Sequence, residues 1–388
     1  MEVSEILFIF AGVKDDGFFE ILRAALNGEA MDCELGDRDW KSVFWLSQQQ
    51  SVTGVLWPVV KDRTLPMDVA MQWLGQVEQI KGLNALQNRE AARLTQLFAD
   101  AGHRSAVLKG QANARLYPDK LLRLPGDIDI WIEGGQESVM QLLLDLGLLD
   151  ERPTIANAGK RGKATTSYHH VHLPPTKDGI IVEAHFRPSS GNHNPWTNRR
   201  LQQWLEREIQ TVNRVEEGFC VPSTKFALVM QLSHIQRHFL SSGIGLRQLC
   251  DYYWLLRHAS EEDRCDVKAL LGRFGLRRTA GALMWILGEV LHLGKGLMLC
   301  EADAWRGEWM LREVMKGGNF GHYADRRQKG RWRRFFAGQM RSLRLLRFDF
   351  REALWIELDY LKAIVVTLPE RIRRGKLSLS ENENKRNI

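Results

Sequence analysis

Two carboxylates stand two residues apart in Asp127-Ile128-Asp129-Ile130-Trp131, and on a strand that spacing puts them on one face, because side chains alternate with period two. A third acid, Glu183, lies in the middle of the run Ile180-Ile181-Val182-Glu183-Ala184-His185-Phe186, where a lone carboxylate is costly to bury. If the two strands are neighbours, three acids converge. Hard oxygen donors with no thiolate among them favour Mg²⁺, which binds through one or two carboxylates plus substrate phosphates. Two such ions about 3.5–4 Å apart would activate an attacking hydroxyl and stabilise a leaving pyrophosphate. Seventeen residues ahead of Asp127 stands Gly110, in Val107-Leu108-Lys109-Gly110-Gln111. A glycine at a strand-to-helix junction lets the backbone approach a phosphate, and the amides of the following helix carry partial positive charge toward it.

Further side chains surround this core. Lys109 is placed either to contact phosphate or to point into solvent, and Arg123 either to pair with phosphate or to hold Asp127. Within Tyr168-His169-His170-Val171-His172, His170 and His172 share a strand face, with His185 on the next strand. They fit a substrate-cleft lining or a hydrogen-bonded structural role better than zinc, for which no signature spacing is present. His234 and His238 lie on one helical face without the Glu of an HExxH site, so packing against the core is expected. Arg247 and Asp251 are spaced either for an i, i+4 ion pair or for contact with a nucleotide from the helical part.

These residues need a sheet to hold them. Short apolar runs bounded by Gly and Pro between Arg104 and Arg187 read as alternating strands and helices. The strands are expected at 105–108, 128–132, 171–173 and 180–186, the last two joined by the turn Pro174 to Gly179, and the helices at 111–117 and 136–146. Before Gly102 the spacing Val69, Trp73, Val77, Ile80 is helical, with Pro58 and Pro66 as breaks, and after Pro222 the chain is helical again to about Leu368, opened by Ser223 or Thr224 as N-cap. The fold class is therefore α+β. It divides into an N-terminal helical unit (1–102), a core with a small mixed β-sheet and flanking helices (103–215), a C-terminal helical domain (216–377) and a polar tail (378–388).

The chain's 388 residues exceed one ordinary core, and 44% hydrophobic with 26% charged residues exclude a disordered or fibrous chain. Five widely spaced cysteines form no CxxC pair, which predicts a reducing, cytoplasmic setting. The most apolar stretch, Gly281 to Cys300, holds Glu289, His292 and Lys295 and reads as a buried helix, not a membrane span. Basicity is local: residues 326–351 carry ten Lys or Arg against one acid, Asp349, more than the net +7 of the whole chain. Interleaved Trp332, Phe335, Phe336 and Phe348 make that segment either a helix with core-facing aromatics and solvated arginines or a grip for nucleic acid or an anionic surface.

The pattern Leu108-Lys109-Gly110 followed by Gly126-Asp127-Ile128-Asp129-Ile130 resembles the DNA polymerase β-like nucleotidyltransferase superfamily, and within it a large group of mostly uncharacterised bacterial nucleotidyltransferase-like proteins. The likeness runs from about Leu94 to Leu256 and takes in Leu116-Tyr117-Pro118, Arg123, Glu183-Ala184-His185, His234, His238, Arg247 and Asp251. It implies an enzyme that transfers a nucleoside monophosphate from an NTP, such as ATP, to a hydroxyl of an acceptor, with Mg²⁺ and release of pyrophosphate. Asp127, Asp129 and Glu183 would then be the metal-binding and catalytic acids, with Glu183 helping to deprotonate the acceptor. Lys109, Gly110, Gln111 and Arg123 would be the nucleotide contacts, and His170, His172, His185, Arg247 and Asp251 would line the substrate cleft. The acceptor, whether small molecule, sugar, RNA or protein, stays open. The superfamily usually has Ser where this chain has Gln111, and Asp where it has Glu183. That leaves room for a nucleotide-binding module without transfer, while the basic segment leaves room for an RNA-directed, tRNA-modifying or toxin-like enzyme.

Overall fold

The computed structural model describes residues 15–29, 31, 35–153, 165–318 and 344–373. Among the described residues four helices come first: α1 (Asp15–Asn27), α2 (Asp37–Gln49), α3 (Thr53–Val60) and α4 (Met67–Asp100). Pro66 does separate two helices, standing at the N-cap of α4, whereas Pro58 lies inside α3 and the helix runs only two residues beyond it. The central region follows as β1 (Ser105–Val107), α5 (Gln111–Ala114), β2 (Ile128–Ile132), α6 (Gly135–Asp145), β3 (Thr165–Thr166), β4 (His170–His172) and β5 (Val182–His185). Next come α7 (Pro195–Glu208), the hairpin β6 (Val212–Arg214) and β7 (Cys220–Pro222), and then α8 (Thr224–Ser241), α9 (Leu246–His258), α10 (Glu261–Leu270), α11 (Arg277–Trp285), α12 (Ala304–Gly317) and α13 (Phe350–Arg373). Ser223 is the N-cap of α8, its hydroxyl accepting from the Phe226 amide.

The fold is α+β, with a small mixed sheet among helices. The sheet order is β1-β2-β5-β4-β3. β2 and β5 are parallel, while β1–β2, β4–β5 and β3–β4 are antiparallel. Period-two alternation divides the sheet into two chemically different faces. Val107, Ile128, Ile130, Ile132, Val171, Val182 and Ala184 pack in one core with Ala91, Leu94 and Phe98 of α4 and with Val139, Met140 and Leu143 of α6. The residues between them, Asp129, His170, His172, Glu183 and His185, therefore belong to the opposite face. There a second core joins the N-terminal helices to α7–α12, around Trp73, Phe226, Tyr252 and Tyr253.

The stretch from Gly281 forms α11 and a π-helical turn, Ile286–Val290, largely buried in that core, and no described helix is long and apolar enough to cross a membrane. Of the basic segment, residues 326–343 lie outside the described residues. At 344–351, Leu345 and Phe348 are buried while Arg344, Arg347 and Arg351 are exposed. Asp349 is buried there and accepts from the Arg278 guanidinium at 2.8 Å. The polar tail 378–388 also lies outside the described residues.

Candidate active site

The site begins at the end of β1. The Leu108 amide donates to the Asp129 carbonyl at 2.9 Å, and the chain then turns at Gly110 (φ 64°) into α5. A Cβ at Gly110 would stand 3.3 Å from the Asp127 carbonyl oxygen, in a backbone region that side chains rarely adopt. Glycine is what allows the turn to lie against the first acid.

Across the parallel pair, Asp129 is the register partner of Glu183, and His172 faces Glu183 from the other side. Asp129 is buried, and its Oδ1 is 3.0 Å from both Lys109 Nζ and His185 Nε2. Glu183 is buried as well, with Oε2 at 3.4 Å from His185 Nε2 and from His170 Nδ1, and Oε1 at 3.5 Å from His172 Nδ1. Asp127 is half-buried immediately before β2.

The electrostatics follow from this crowding. Burial opposes the Lys109 charge, but Asp129, Asp127 and Glu183 outweigh it and hold the ammonium well above its ordinary pKa. Burial pushes Glu183 up, yet the His185 hydrogen bond and the Lys109 charge bring it down to about 2. In His185 burial is likewise overcome, by hydrogen bonds to Asp129 and Glu183, and its pKa rises to about 9. His170 goes the other way, lowered to about 4 by burial despite Glu183. His185 Nδ1 is buried without a hydrogen-bond partner among the described residues.

Beside the acids opens a cleft holding about 500 Å³ of empty space, part of it open to solvent, between the sheet and helices α8 and α9. Asp127, Asp129, Lys109, Gly110, Arg123, Arg247 and Asp251 all line it. Glu183 and the three histidines of β4 and β5 continue the same face beyond Asp129 and are not among the cleft-lining residues.

The structure bears on four of the sequence readings. Lys109 points into the acids, not into solvent. Arg123 does not hold Asp127; its Nε and Nη2 donate to the two oxygens of Asp251, both at 2.7 Å. Asp251 is thereby taken from Arg247, whose Nη1 donates instead to the Leu124 carbonyl at 3.1 Å. Gln111 leaves the cleft altogether: its Nε2 donates to Asn88 Oδ1 at 2.7 Å and to the Asn84 carbonyl on α4.

Other residues here escaped sequence reasoning. Asn84 donates to the carbonyls of Leu121 (2.7 Å) and Arg123 (2.8 Å), and Gln87 donates to that of Gly126, so α4 grips the loop that delivers Asp127. Asn113 and Gln231 exchange two amide hydrogen bonds across the cleft, at 3.0 and 2.7 Å. One signal was available: Asn84 and Gln87 interrupt a buried helical stripe of Trp73, Val77, Ile80, Ala91, Leu94 and Phe98, and polar groups at such positions are there to bond. His234 lies 4.2 Å from His238 between ring centres, the rings tilted by 59°, and lines the cleft.

Residues 36–292 match the model of a family described as uncharacterised nucleotidyltransferase. The chain belongs to this family. The match takes in the whole sheet, the cleft and helices α8–α11, so membership in the uncharacterised nucleotidyltransferases supports nucleotidyl transfer as the class of activity. Among solved structures, an antigenic nucleotidyltransferase-like protein from Paracoccidioides brasiliensis is similar at 14% identity, over 53% of this chain and 92% of that one, with a TM-score of 0.29. No curated protein matches the chain.

Asp129 and Glu183 lie with His185 in a group whose ligand atoms could hold a divalent cation, their carboxylates offering hard oxygen donors, and Lys109 and His185 supply countercharge to these acids.

Proposed function

We propose that the protein transfers a nucleoside monophosphate from an NTP to the hydroxyl of an acceptor, with Mg²⁺, and releases pyrophosphate. The observation that carries this reading is the pairing of Asp129 with Glu183 across β2 and β5, with Asp127 and the Gly110 turn at the adjoining cleft.

Asp127 and Asp129 would hold Mg²⁺, and Glu183 would complete the set. Bound there, the ion supplies Lewis-acid stabilisation of phosphate charge and lowers the pKa of the attacking hydroxyl. A carboxylate with its pKa at about 2 is a better ligand than proton acceptor, because a general base works best near the operating pH. Glu183 is accordingly assigned to binding more than to deprotonation. Gly110 brings the backbone up to the phosphates. Lys109 and Arg247 supply fixed positive charge at the cleft; the Arg247 Nε is buried with no partner among the described residues, leaving a donor for an anion. Catalysis in this arrangement rests on positioning and charge neutralisation.

The test is calorimetric titration of each NTP with Mg²⁺ and then with EDTA, for the wild type and the Asp127→Asn/Asp129→Asn variant, alongside pyrophosphate release. Metal-dependent binding and turnover that the double variant loses are expected. Binding of no NTP in any condition would remove the reading. NTP binding without turnover on any acceptor would instead favour a nucleotide-binding module. The displacement of Gln111 from the cleft, where the superfamily usually has Ser, is the observation that favours that alternative.

A further inference from the structure

Beyond Asp129 and His185 the sheet face carries three further imidazoles, His169, His170 and His172, to which the proposed transfer gives no role. His169 and His170 approach with Nε2 to Nδ1 at 2.9 Å, and His170 and His172 with Nε2 to Nε2 at 3.0 Å. Both His170 and His172 also stand against Glu183, at 3.4 and 3.5 Å. The ring nitrogens of His170 and His172 and the carboxylate of Glu183 thus crowd together where His170 and Glu183 are buried, and their lone pairs could hold a cation there.

The geometry suits a metal ion. Donors around a tetrahedral ion with bonds of about 2.0–2.1 Å stand about 3.4 Å apart, and His170 Nε2 and His172 Nε2 stand 3.0 Å apart. With one ligand atom taken from each residue, all three lie within 4.8 Å of one another. The backbone presents them together: His170 and His172 are i and i+2 on β4, and Glu183 is the register partner of His172 on β5. His169 Nε2 stands 2.9 Å from His170 Nδ1, which leaves His170 Nε2 as the atom to face an ion. The His172 side chain is 41% exposed, which gives an ion a way in and leaves a fourth position for water or substrate.

We propose that His170, His172 and Glu183 form a site for a borderline-soft dication of the Zn²⁺ class, adjoining the carboxylate site of Asp127 and Asp129 and sharing Glu183 with it. Two imidazoles and one carboxylate are a donor set that Mg²⁺ does not favour and Zn²⁺ does. The proposal goes beyond nucleotidyl transfer and stands without it.

The test uses Co²⁺ as a spectroscopic substitute for Zn²⁺, titrated into the full chain after chelation. The wild type should take up one equivalent with the intense visible absorption of a four-coordinate ion, Zn²⁺ should displace it, and excess Mg²⁺ should not. His170→Ala/His172→Ala should lose the band, as should His172→Asn, a milder change at a partly exposed side chain that guards against misfolding of the double variant. Asp127→Asn should keep it, so loss of NTP binding and loss of this site are read separately. A wild type without the band, or a His172→Asn variant with the band unchanged, overturns the site.

Discussion

Arg123 and Asp251 meet in a bidentate ion pair, both bonds at 2.7 Å and both side chains about 5% exposed, that ties the loop before Asp127 and Asp129 to helix α9. Tyr117 adds its hydroxyl to the same carboxylate at 2.8 Å. Removing one member leaves the other charged, buried and unpaired, which typically costs about 3–5 kcal/mol. Asp251→Ala should therefore lower unfolding stability by about that amount in urea titrations, and a loss below about 1 kcal/mol would show that the pair does not hold the loop.

Gly110 should resist substitution on conformational grounds alone. With φ at 64° and the Asp127 carbonyl 3.3 Å from an added Cβ, Gly110→Ala should cost about 1–3 kcal/mol of stability. It should also weaken NTP binding, since the turn can no longer approach the phosphates. Calorimetry on the folded variant separates the two effects.

Gln111 should behave in the opposite manner. Its amide is spent on Asn84 and Asn88, away from the cleft. Gln111→Ala should destabilise by about 1–2 kcal/mol in thermal melts, as expected for lost buried hydrogen bonds, and leave NTP affinity unchanged.

The acid and imidazole cluster sets a pH dependence whose sign can be worked out. The pKa of His185 is raised from 6.5 to about 9, so the stability it contributes is complete below 6.5 and is lost as pH rises through about 9. Glu183 is lowered from 4.5 to about 2, so its contribution is present above 4.5 and is lost as pH falls toward 2. The stability gap between the wild type and His185→Gln, measured with chelator present, should be widest between about pH 4.5 and 6.5 and close by about pH 9. A gap that grows with pH would mean that His185 is held neutral.

Much of this was readable from the chain. Alternation predicted the strand of Asp127 and Asp129 and the strand of Glu183, which the structure places at 128–132 and 182–185 as parallel neighbours. The glycine turn and Ser223 as a helix cap were legible for the same reason, since local backbone demands leave local residue signatures. Helix 111–117 shortened to Gln111–Ala114, and the strands β3, β6 and β7, of two or three residues each, were too short to show a period. The partner of Asp251 could not be read, because an i, i+4 neighbour is visible in sequence while Arg123 is 128 positions away. The same holds for the amides of Asn84 and Gln87, which look like ordinary helix positions until the loop they hold is in place.

That loop has a consequence for how the protein is made. Its carbonyls are held from α4, synthesised before it, and by Arg247 on α9, synthesised long after it. A nascent chain that has just exposed Asp127 and Asp129 already owns the Asn84 and Gln87 clamp, but it must wait for more than a hundred further residues before Asp251 can fix Arg123. Contacts so distant in sequence form late, because the closure entropy precedes the reward. The acids are thus made early and set late, and the cleft beside them takes its final form only when the C-terminal helices arrive.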